Sequence, residues 1–487
     1  MKSWAVGFDI DRRSREPLFL QLARAVSSDV RRGRLTPGSR LPGTRSLANT
    51  LDIHRNTVLA AYRELEAEGW IESSPRRGMF VSNSLPDPKP KRFSTRISLR
   101  QRNSSNGMPV DLRPGPQKRE WVPEPKGSLF MGGGVPDVTL VPAELVSRAY
   151  RRVLRLKART VLSYGDPRGH VDLRSELARM LAATRGLAVG KDDIIVTRGS
   201  QMALDLVARS LLGPEDVVAV ESFGYGPAWE TFLRAGAKLV QVSVDDEGLV
   251  VSELEKLLRR VSIRAIYVTP HHQYPTTVVM TAGRRLALLA LARRHRFMII
   301  EDDYHHEFHY EGRPVLPLAS VDRGAVAYIG SLSKVLAPGL RLGYLVAANP
   351  LLERVTTHRM YTDRQGDHAV ECAIAELFRD GEVQRHVRRV RRIYQGRRDI
   401  LASELLRQFG DALSFTMPAG GMAIWAKVEN GVNVEHWAQR AAKQGVVFLT
   451  ARSFTFDGTS RPWIRLGFGG LAETQIREAV RRMASAY

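Results

Sequence analysis

Apolar residues recur at helical spacing near the start of the chain. One stripe has a spacing of four and comprises Leu18, Leu22, Val26 and Val30. A turn rich in proline and glycine follows at 36–43, and the pattern then predicts helices over 44–53 and 56–70. Two short strands around a turn at 74–78 complete the segment. This order of helices and hairpin predicts a winged helix-turn-helix over residues 1–82.

The pattern changes twice further along the chain. Residues 83–127 have few apolar positions and many prolines and cations, which is typical of a linker. From residue 128 onward, short apolar runs alternate with helical stretches; the runs are 193–197, 217–221, 265–269, 297–302 and 325–330. Strands that are apolar on both faces predict a mostly parallel sheet. Residues 128–487 are therefore expected to form an α/β domain with a smaller C-terminal subdomain.

Charge and cysteine content narrow the class of protein. The formal net charge is +22, of which +5 falls in residues 1–82 and +6 in residues 83–127. This excess indicates a polyanionic partner such as nucleic acid, although an Arg-rich surface is the alternative. The single cysteine, Cys372, excludes a disulfide framework and a Cys-based zinc site, and it fits a reducing cytoplasm. No signal peptide and no apolar run long enough for a membrane span is present, so no membrane partner is expected.

Residues 17–81 resemble the GntR-type winged helix along their whole length. The matching motifs are the PG-x-x-LP turn, the R-x-LA pair and the NTV-x-x-AY-x-x-LE run. The resemblance implies a recognition helix that starts near Arg55 and contacts double-stranded operator DNA. The implied DNA-binding residues are Arg45, Arg55, Asn56, Thr57, Arg76 and Arg77. The alternative is a small helical domain with surface salt bridges. Gly43 and His54 replace the usual Ser or Thr, which predicts a weaker cap and a fraying recognition helix.

The string GSLSKVLAPGLRLGY over 330–344 contains a lysine between small and polar residues. It resembles the cofactor-binding segment of fold-type I aminotransferases, and the resemblance extends over 128–487. It implies that Lys334 forms a Schiff base with pyridoxal 5'-phosphate (PLP), while Ser331, Ser333 and Arg341 bind the phosphate. A solvated lysine is the alternative. Together the two halves resemble the MocR/PdxR group of GntR regulators.

The same resemblance assigns further residues around the cofactor. Asp302 is expected at the pyridine nitrogen and Tyr304 at the ring hydroxyl, but Glu301 and Asp303 leave the first assignment open by one position. The remaining phosphate and ring contacts are expected from Gly199, Ser200, Gln201 and Tyr225.

Two further residues are expected to act beyond the cofactor itself. Tyr164 matches a tyrosine that reaches the phosphate of the neighbouring subunit, so a homodimer is expected. Arg465 matches the arginine that binds a substrate carboxylate, and a buried core arginine is the alternative. The chain departs from the usual pattern at Phe223, where proline is common, and at Tyr274 and Thr277, which replace asparagine and glycine. These last changes indicate tuned or reduced catalysis.

A metal site is considered and set aside. His305 and His309 are four residues apart, a spacing that could hold zinc on a helix. The string is not H-E-x-x-H, and it directly follows Asp302, where a wall of the cofactor pocket is expected. No metal site is therefore predicted.

The resemblance implies a dimeric regulator in the bacterial cytoplasm, associated with the nucleoid when bound to DNA. Its aminotransferase-like domain would bind PLP and sense either PLP or an amino compound, and its target genes would serve vitamin B6 or amine and amino-acid metabolism. The alternative is an active aminotransferase with an appended DNA-binding domain. A scaffold domain that binds no cofactor is a third interpretation.

Overall fold

A computed structural model describes residues 8, 10–12, 14, 16–75, 77–86, 127–312 and 315–487. The chain divides into two compact units, Met1–Arg113 and Pro114–Tyr487. Most of the predicted linker, residues 87–126, lies outside the described residues. No helix within the described ranges is long and apolar enough to cross a membrane.

The first unit is a three-helix bundle with a hairpin. Its elements are α1 (Leu18–Arg31), α2 (Thr44–Leu51), α3 (Arg55–Ala67), β1 (Ile71–Ser74) and β2 (Gly78–Val81). The two strands pair antiparallel. The apolar stripes of α1 and α3 face each other, so that Leu22, Val58, Ala61 and Leu65 are fully buried. The predicted winged helix-turn-helix is confirmed.

The prediction of a poorly capped recognition helix is wrong. The side chain of His54 accepts a hydrogen bond from the backbone N–H of Asn56 at 3.2 Å, with Nδ1 as the acceptor. An imidazole can thus satisfy one of the N–H groups left free at a helix start, as serine or threonine would. At the start of α2, by contrast, Gly43 provides no side-chain cap.

The second unit is built on a seven-stranded sheet. In spatial order its strands are β4 (Ile194–Thr197), β12 (Gly343–Val346), β11 (Val326–Ser331), β10 (Met298–Asp303), β9 (Ala265–Val268), β5 (Val217–Glu221) and β6 (Lys238–Val242). All neighbouring pairs are parallel except those that involve β12. Successive strand residues alternate between two apolar clusters, one on each face of the sheet, which explains the uninterrupted apolar runs in the sequence.

Some helices of this unit cover both faces of the sheet, and others pack in the smaller C-terminal subdomain. They are α4 (Ala143–Val161), α5 (Val171–Arg185), α6 (Ser200–Leu211), α7 (Gly226–Arg234), α8 (Val251–Leu258), α9 (Ala282–His295), α10 (Leu318–Val321), α11 (Asn349–Thr362), α12 (His368–Arg379), α13 (Glu382–Phe409), α14 (Val434–Lys443) and α15 (Glu473–Ser485). The long helix α13 packs on α12 and on α15, and thus joins the large sheet to a smaller C-terminal subdomain.

That subdomain has its own sheet and its own core. Its four antiparallel strands, in spatial order, are β13 (Leu413–Phe415), β14 (Ala423–Val428), β17 (Trp463–Gly467) and β16 (Leu449–Thr450). The remaining short strands are β3 (Leu129–Phe130), β7 (Val244–Asp245), β8 (Gly248–Leu249) and β15 (Val446–Val447). Because β3 pairs with β15, Leu129–Phe130 is part of the C-terminal subdomain. The predicted α/β architecture with a smaller subdomain is confirmed.

Candidate cofactor and effector site

A cavity of about 340 Å³ lies at the carboxyl ends of the parallel strands. This edge is where α/β sheets usually bind ligands, because loops there converge on strand ends. Of the residues predicted to bind cofactor or effector, those that line the cavity are Gly199, Ser200, Gln201, Tyr225, Asp302, Tyr304, Ser331, Ser333, Lys334, Arg341 and Arg465. Residues from distant parts of the sequence thus meet in one place.

One end of the cavity is suited to an anion. Gly199 precedes α6 with a φ of 80°, and a Cβ at this position would lie 3.4 Å from the guanidinium of Arg341. Arg341 is anchored by a hydrogen bond to the carbonyl of Arg198 at 2.8 Å. Ser331 accepts a hydrogen bond from the backbone N–H of Ser333 at 3.2 Å. A helix start, an arginine and two hydroxyls together provide the donors that a phosphate prefers.

Asp302 is the only carboxylate that faces the cavity among the described residues of β10. Its Oδ2 accepts a hydrogen bond from Tyr267 at 2.9 Å, and its buried Oδ1 has no partner within the described chain. Glu301 accepts hydrogen bonds from the backbone N–H groups at the start of α10, and Asp303 accepts one from Tyr328. Of these three carboxylates, Asp302 alone lines the cavity.

Burial controls the protonation of two groups in the cavity. Burial raises the pKa of Asp302 to about 7, despite the opposing hydrogen bond from Tyr267. Burial and then the nearby charge of Arg465 lower the pKa of Lys334 to about 8, while Asp302 opposes this shift. A carboxylate that gains a cationic partner becomes easier to ionise, and an amine with a lowered pKa is a better nucleophile near neutral pH.

Arg465 is buried, and within the described residues no carboxylate pairs with it. It lies on β17 of the small sheet, is 1% exposed, and forms no ion pair within the described residues. Its Nε and Nη1 atoms have no hydrogen-bond partner there, and its guanidinium lies 4.8 Å from the ring centre of Tyr274. A structural core arginine would normally have its donors satisfied. The arrangement is instead suited to an incoming carboxylate.

Aromatic side chains form one wall of the cavity. The rings of Tyr225 and Tyr274 meet edge to face at 5.7 Å, and those of Tyr274 and Tyr304 at 5.9 Å. The hydroxyl of Tyr304 donates a hydrogen bond of 2.8 Å to the carbonyl of His272. Tyr274, which replaces the expected asparagine, thus fills space and contacts Arg465. Thr277, which replaces a glycine, adopts a φ of 66° that glycine tolerates better.

Tyr164 is the one predicted cofactor residue that lies outside the cavity. It is 80% exposed, and its ring contacts the guanidinium of Arg364 at 5.2 Å. Other large apolar side chains are exposed in the last turns of α4, directly after it, and in the last turn of α11, namely Leu156, Leu162, Met360 and Tyr361. Tyr164 therefore does not line the cavity of its own chain.

The predicted DNA contacts lie together at the surface of the first unit. Arg45 is exposed in the first turn of α2, and Arg55 and Asn56 are exposed at the start of α3. Arg55 is oriented by a hydrogen bond from its Nε to the hydroxyl of Thr44 at 3.4 Å. Thr57 is half-buried beside them. No carboxylate neutralises Arg45 or Arg55 within the described chain, so both cations are available to phosphate.

The wing of this unit is only partly described. Arg77 is exposed on the turn between β1 and β2, and its guanidinium lies 5.6 Å from the ring centre of Phe80. Arg76, the other predicted wing residue, lies outside the described residues.

Comparison with known proteins agrees with both halves of this architecture. Residues 135–483 match the family described as aminotransferase class I and II, and residues 18–81 match the bacterial regulatory proteins of the gntR family. The probable rhizopine catabolism regulatory protein MocR of Rhizobium meliloti is 30% identical, and the alignment covers 98% of this chain and 95% of the relative. The HTH-type transcriptional regulator TauR of Rhodobacter capsulatus is 31% identical, with 96% of each chain covered.

The chain belongs to the MocR family of transcriptional regulators. A solved structure similar to its second unit is the α-aminoadipate aminotransferase LysN from Thermus thermophilus, complexed with N-(5'-phosphopyridoxyl)-L-leucine. It is 30% identical, with a TM-score of 0.69, and the match covers 74% of this chain and 92% of LysN. This MocR-family protein is a DNA-binding transcriptional regulator that uses PLP as its cofactor.

The residues present in the cavity of the MocR-family protein fit PLP. The unpartnered Oδ1 of Asp302 can accept a hydrogen bond from a pyridinium, and the start of α6 with Arg341 can hold a phosphate. Lys334 lines the same space and has a lowered pKa. The donors, the acceptor and the nucleophile that this cofactor needs are therefore all present.

Several cavity residues of the MocR-family protein were not found from the sequence. Tyr267 gives no local signal, because its contact with Asp302 depends on the pairing of β9 with β10. The glycine run 132–134 brings backbone to the cavity, and Gly134 lies against both His305 and Arg465. Three successive glycines are a visible signal of close backbone approach, and they could have been singled out.

Proposed function

We propose that the MocR-family protein is switched by an amino acid, whose amino group is directed to Lys334 and whose carboxylate binds Arg465. The observation that carries this proposal is the buried guanidinium of Arg465. Two of its nitrogens have no hydrogen-bond partner, and no carboxylate forms an ion pair with it, within the described residues. When bound, PLP supplies an aldehyde that condenses reversibly with primary amines. An effector without a carboxylate would leave Arg465 unsatisfied and would bind more weakly.

The residues around the cavity have separate roles in this proposal. Asp302 keeps the pyridine nitrogen protonated, with Tyr267 holding the carboxylate in position. The hydroxyl of Tyr304 already donates to the carbonyl of His272, so toward a ligand it acts as an acceptor. Tyr225 and Tyr274 exclude water from the space between Lys334 and Arg465.

The pocket also provides a physical basis for a switch. Lys334 follows a strand of the large sheet, whereas Arg465 belongs to the small sheet. A ligand that contacts both would favour one arrangement of the two subdomains, and operator affinity would change with that arrangement. We further propose that the functional unit is a homodimer in which Tyr164 serves the neighbouring site.

The proposal is tested with PLP-loaded, tag-free protein and an operator selected from random DNA duplexes. Amino acids of increasing chain length are titrated, each beside the amine that lacks its carboxylate, for example L-leucine and 3-methylbutylamine. The readouts are the visible absorption band of the cofactor and the fluorescence anisotropy of labelled operator. At least one amino acid should shift both, and its matched amine should require a much higher concentration.

Two variants sharpen this experiment. Arg465→Lys should remove most of the preference for the carboxylate, because lysine cannot form the two-pronged contact. Arg481→Lys, on the exposed face of α15, is the control and should respond like the wild type. If amino acids and amines act equally on the wild type, or if no compound changes operator affinity, an amino-acid effector is ruled out. Rapid turnover with an oxo acid would instead favour an enzyme.

A further inference from the structure

Four histidines gather behind the cofactor pocket in a way that the cofactor does not explain. His271 and His272 follow β9, and their ring centres are 4.5 Å apart. His306 stacks on His271 at 4.5 Å, and His309 lies 5.8 Å from His271 and 6.0 Å from His272. Residues 304–310 form a turn after β10 and not a helix, so His305 faces the cofactor pocket while His309 faces this cluster.

The ring nitrogens of this cluster are buried and unsatisfied. His271 is 3% exposed and His272 is 2% exposed. Both nitrogens of His271, His272 and His309 lack a hydrogen-bond partner within the described residues. Buried polar atoms in folded proteins almost always have a partner, so a group of such atoms calls for an ordered water, a ligand or an ion.

We propose that His271, His272 and His309 form a binding site for a divalent transition-metal ion, with Zn²⁺ as the ion that fits best. One nitrogen from each ring lies within 4.8 Å of the other two. Tetrahedral ligands about 2.0–2.1 Å from zinc are roughly 3.4 Å apart, a difference that small rotations of the three rings can close. Imidazole nitrogen is a donor that zinc and its neighbours in the series prefer.

A fourth histidine and a carboxylate lie beside the three histidines. The ring of His306 stacks on His271, and its Nδ1 lies 2.9 Å from Oδ2 of Asp303. Neither ring nitrogen of His306 has a hydrogen-bond partner within the described chain.

An ion also has a route into the cluster. A second cavity, of about 270 Å³, is lined by His306 and His309, and also by Glu307 and by side chains of α13. It shares no lining residue with the cofactor cavity. Metal and cofactor could therefore enter independently. The two sites are nevertheless adjacent, since Tyr304 of the cofactor pocket donates its hydrogen bond to the carbonyl of His272.

The test measures Zn²⁺ binding to tag-free full-length protein, with and without PLP, by competition with a chromophoric chelator. One ion should bind per chain. His309→Gln should weaken this affinity by more than about 100-fold, because even substitutions outside the ligand shell cost about 10- to 100-fold. His386→Gln is the control, since His386 is likewise a buried histidine with an unpartnered nitrogen but lies outside the cluster. It should bind Zn²⁺ like the wild type.

A second measurement is independent of any substitution. X-ray absorption at the zinc edge of the wild type should show imidazole scattering and nitrogen or oxygen neighbours at about 2.0–2.1 Å. Absence of stoichiometric Zn²⁺ in the wild type, equal affinity in His309→Gln, or a spectrum without imidazole scattering would each overturn the site. None of these outcomes bears on the amino-acid effector, which is read from the cofactor band and operator affinity.

Discussion

The hydroxyl of Tyr267 donates a hydrogen bond of 2.9 Å to Oδ2 of Asp302, which leaves Oδ1 of the same carboxylate buried and unpartnered within the described residues. The tyrosine thus fixes one oxygen and directs the other into the cofactor cavity. Because β9 and β10 are adjacent parallel strands, this contact depends on their pairing and not on sequence proximity.

Asp302→Asn should weaken PLP binding by about 10- to 100-fold, since a hydrogen bond to a charged group contributes about 1.5–3 kcal/mol. Tyr267→Phe removes a neutral donor and should cost about tenfold or less. Both are measured by equilibrium titration of the visible cofactor band. If the two substitutions have equal effects, Asp302 does not carry the charge that the pyridine nitrogen needs.

The lowered pKa of Lys334 predicts a pH dependence for cofactor loading. Only the neutral amine attacks the aldehyde, and burial lowers the pKa of this amine to about 8. The second-order rate of PLP loading should therefore rise with pH and level off above about pH 8. Stopped-flow absorbance between about pH 6.5 and about 9.5 measures this rate, and Lys334→Ala should give no band. A rate that still rises steeply at about pH 9.5, as expected for an ordinary lysine, would contradict the shift.

Tyr164→Phe should weaken PLP binding although the side chain is 80% exposed and lies outside the cavity of its own chain. The expected loss is about tenfold, the value of one hydrogen bond to a charged phosphate. Tyr361→Phe is a matched control because Tyr361 is 88% exposed and is not expected to reach a phosphate. An unchanged affinity in Tyr164→Phe, or a monomer in sedimentation velocity, would exclude the shared site.

Arg55→Ala should weaken operator binding and reduce the slope of log K against log salt by about 1, because one phosphate contact is lost. Asn56→Ala should change which base is preferred at one position while the slope changes little. Both are measured by anisotropy over a series of salt concentrations. Arg407→Ala, an exposed residue of α13, is the control. A slope that is unchanged in Arg55→Ala would place this arginine away from the phosphates.

The site residues that the sequence predicted lie in short segments that match the family pattern at several consecutive positions. Lys334 and Asp302 each lie within a run of matching residues, and the alternation of apolar runs with helices was enough to predict the α/β fold. That Arg465 has no ion-pair partner among the described residues was not predictable, because it depends on what the fold brings near that residue. The cap provided by His54 was also missed, since histidine rarely takes that role.

The histidine cluster illustrates the same limit. His305 and His309 were compared as a helical pair, but the chain turns after β10 and separates them. His309 instead meets His271 and His272, which are 37 or more positions away in the sequence. A spacing rule for one helix cannot find a cluster whose histidines come from two loops.

Lys334 follows a strand of the large sheet and Arg465 lies on the small sheet, and this separation has a consequence for selectivity. A molecule held at its amine by one sheet and at its carboxylate by the other is gauged by the distance between those two groups. If the proposed amino-acid effector is correct, the pocket selects ligands first by the distance between amine and carboxylate and only then by side chain. A small change in the spacing of the two sheets would then select a ligand of different length, even if Lys334 and Arg465 were both retained.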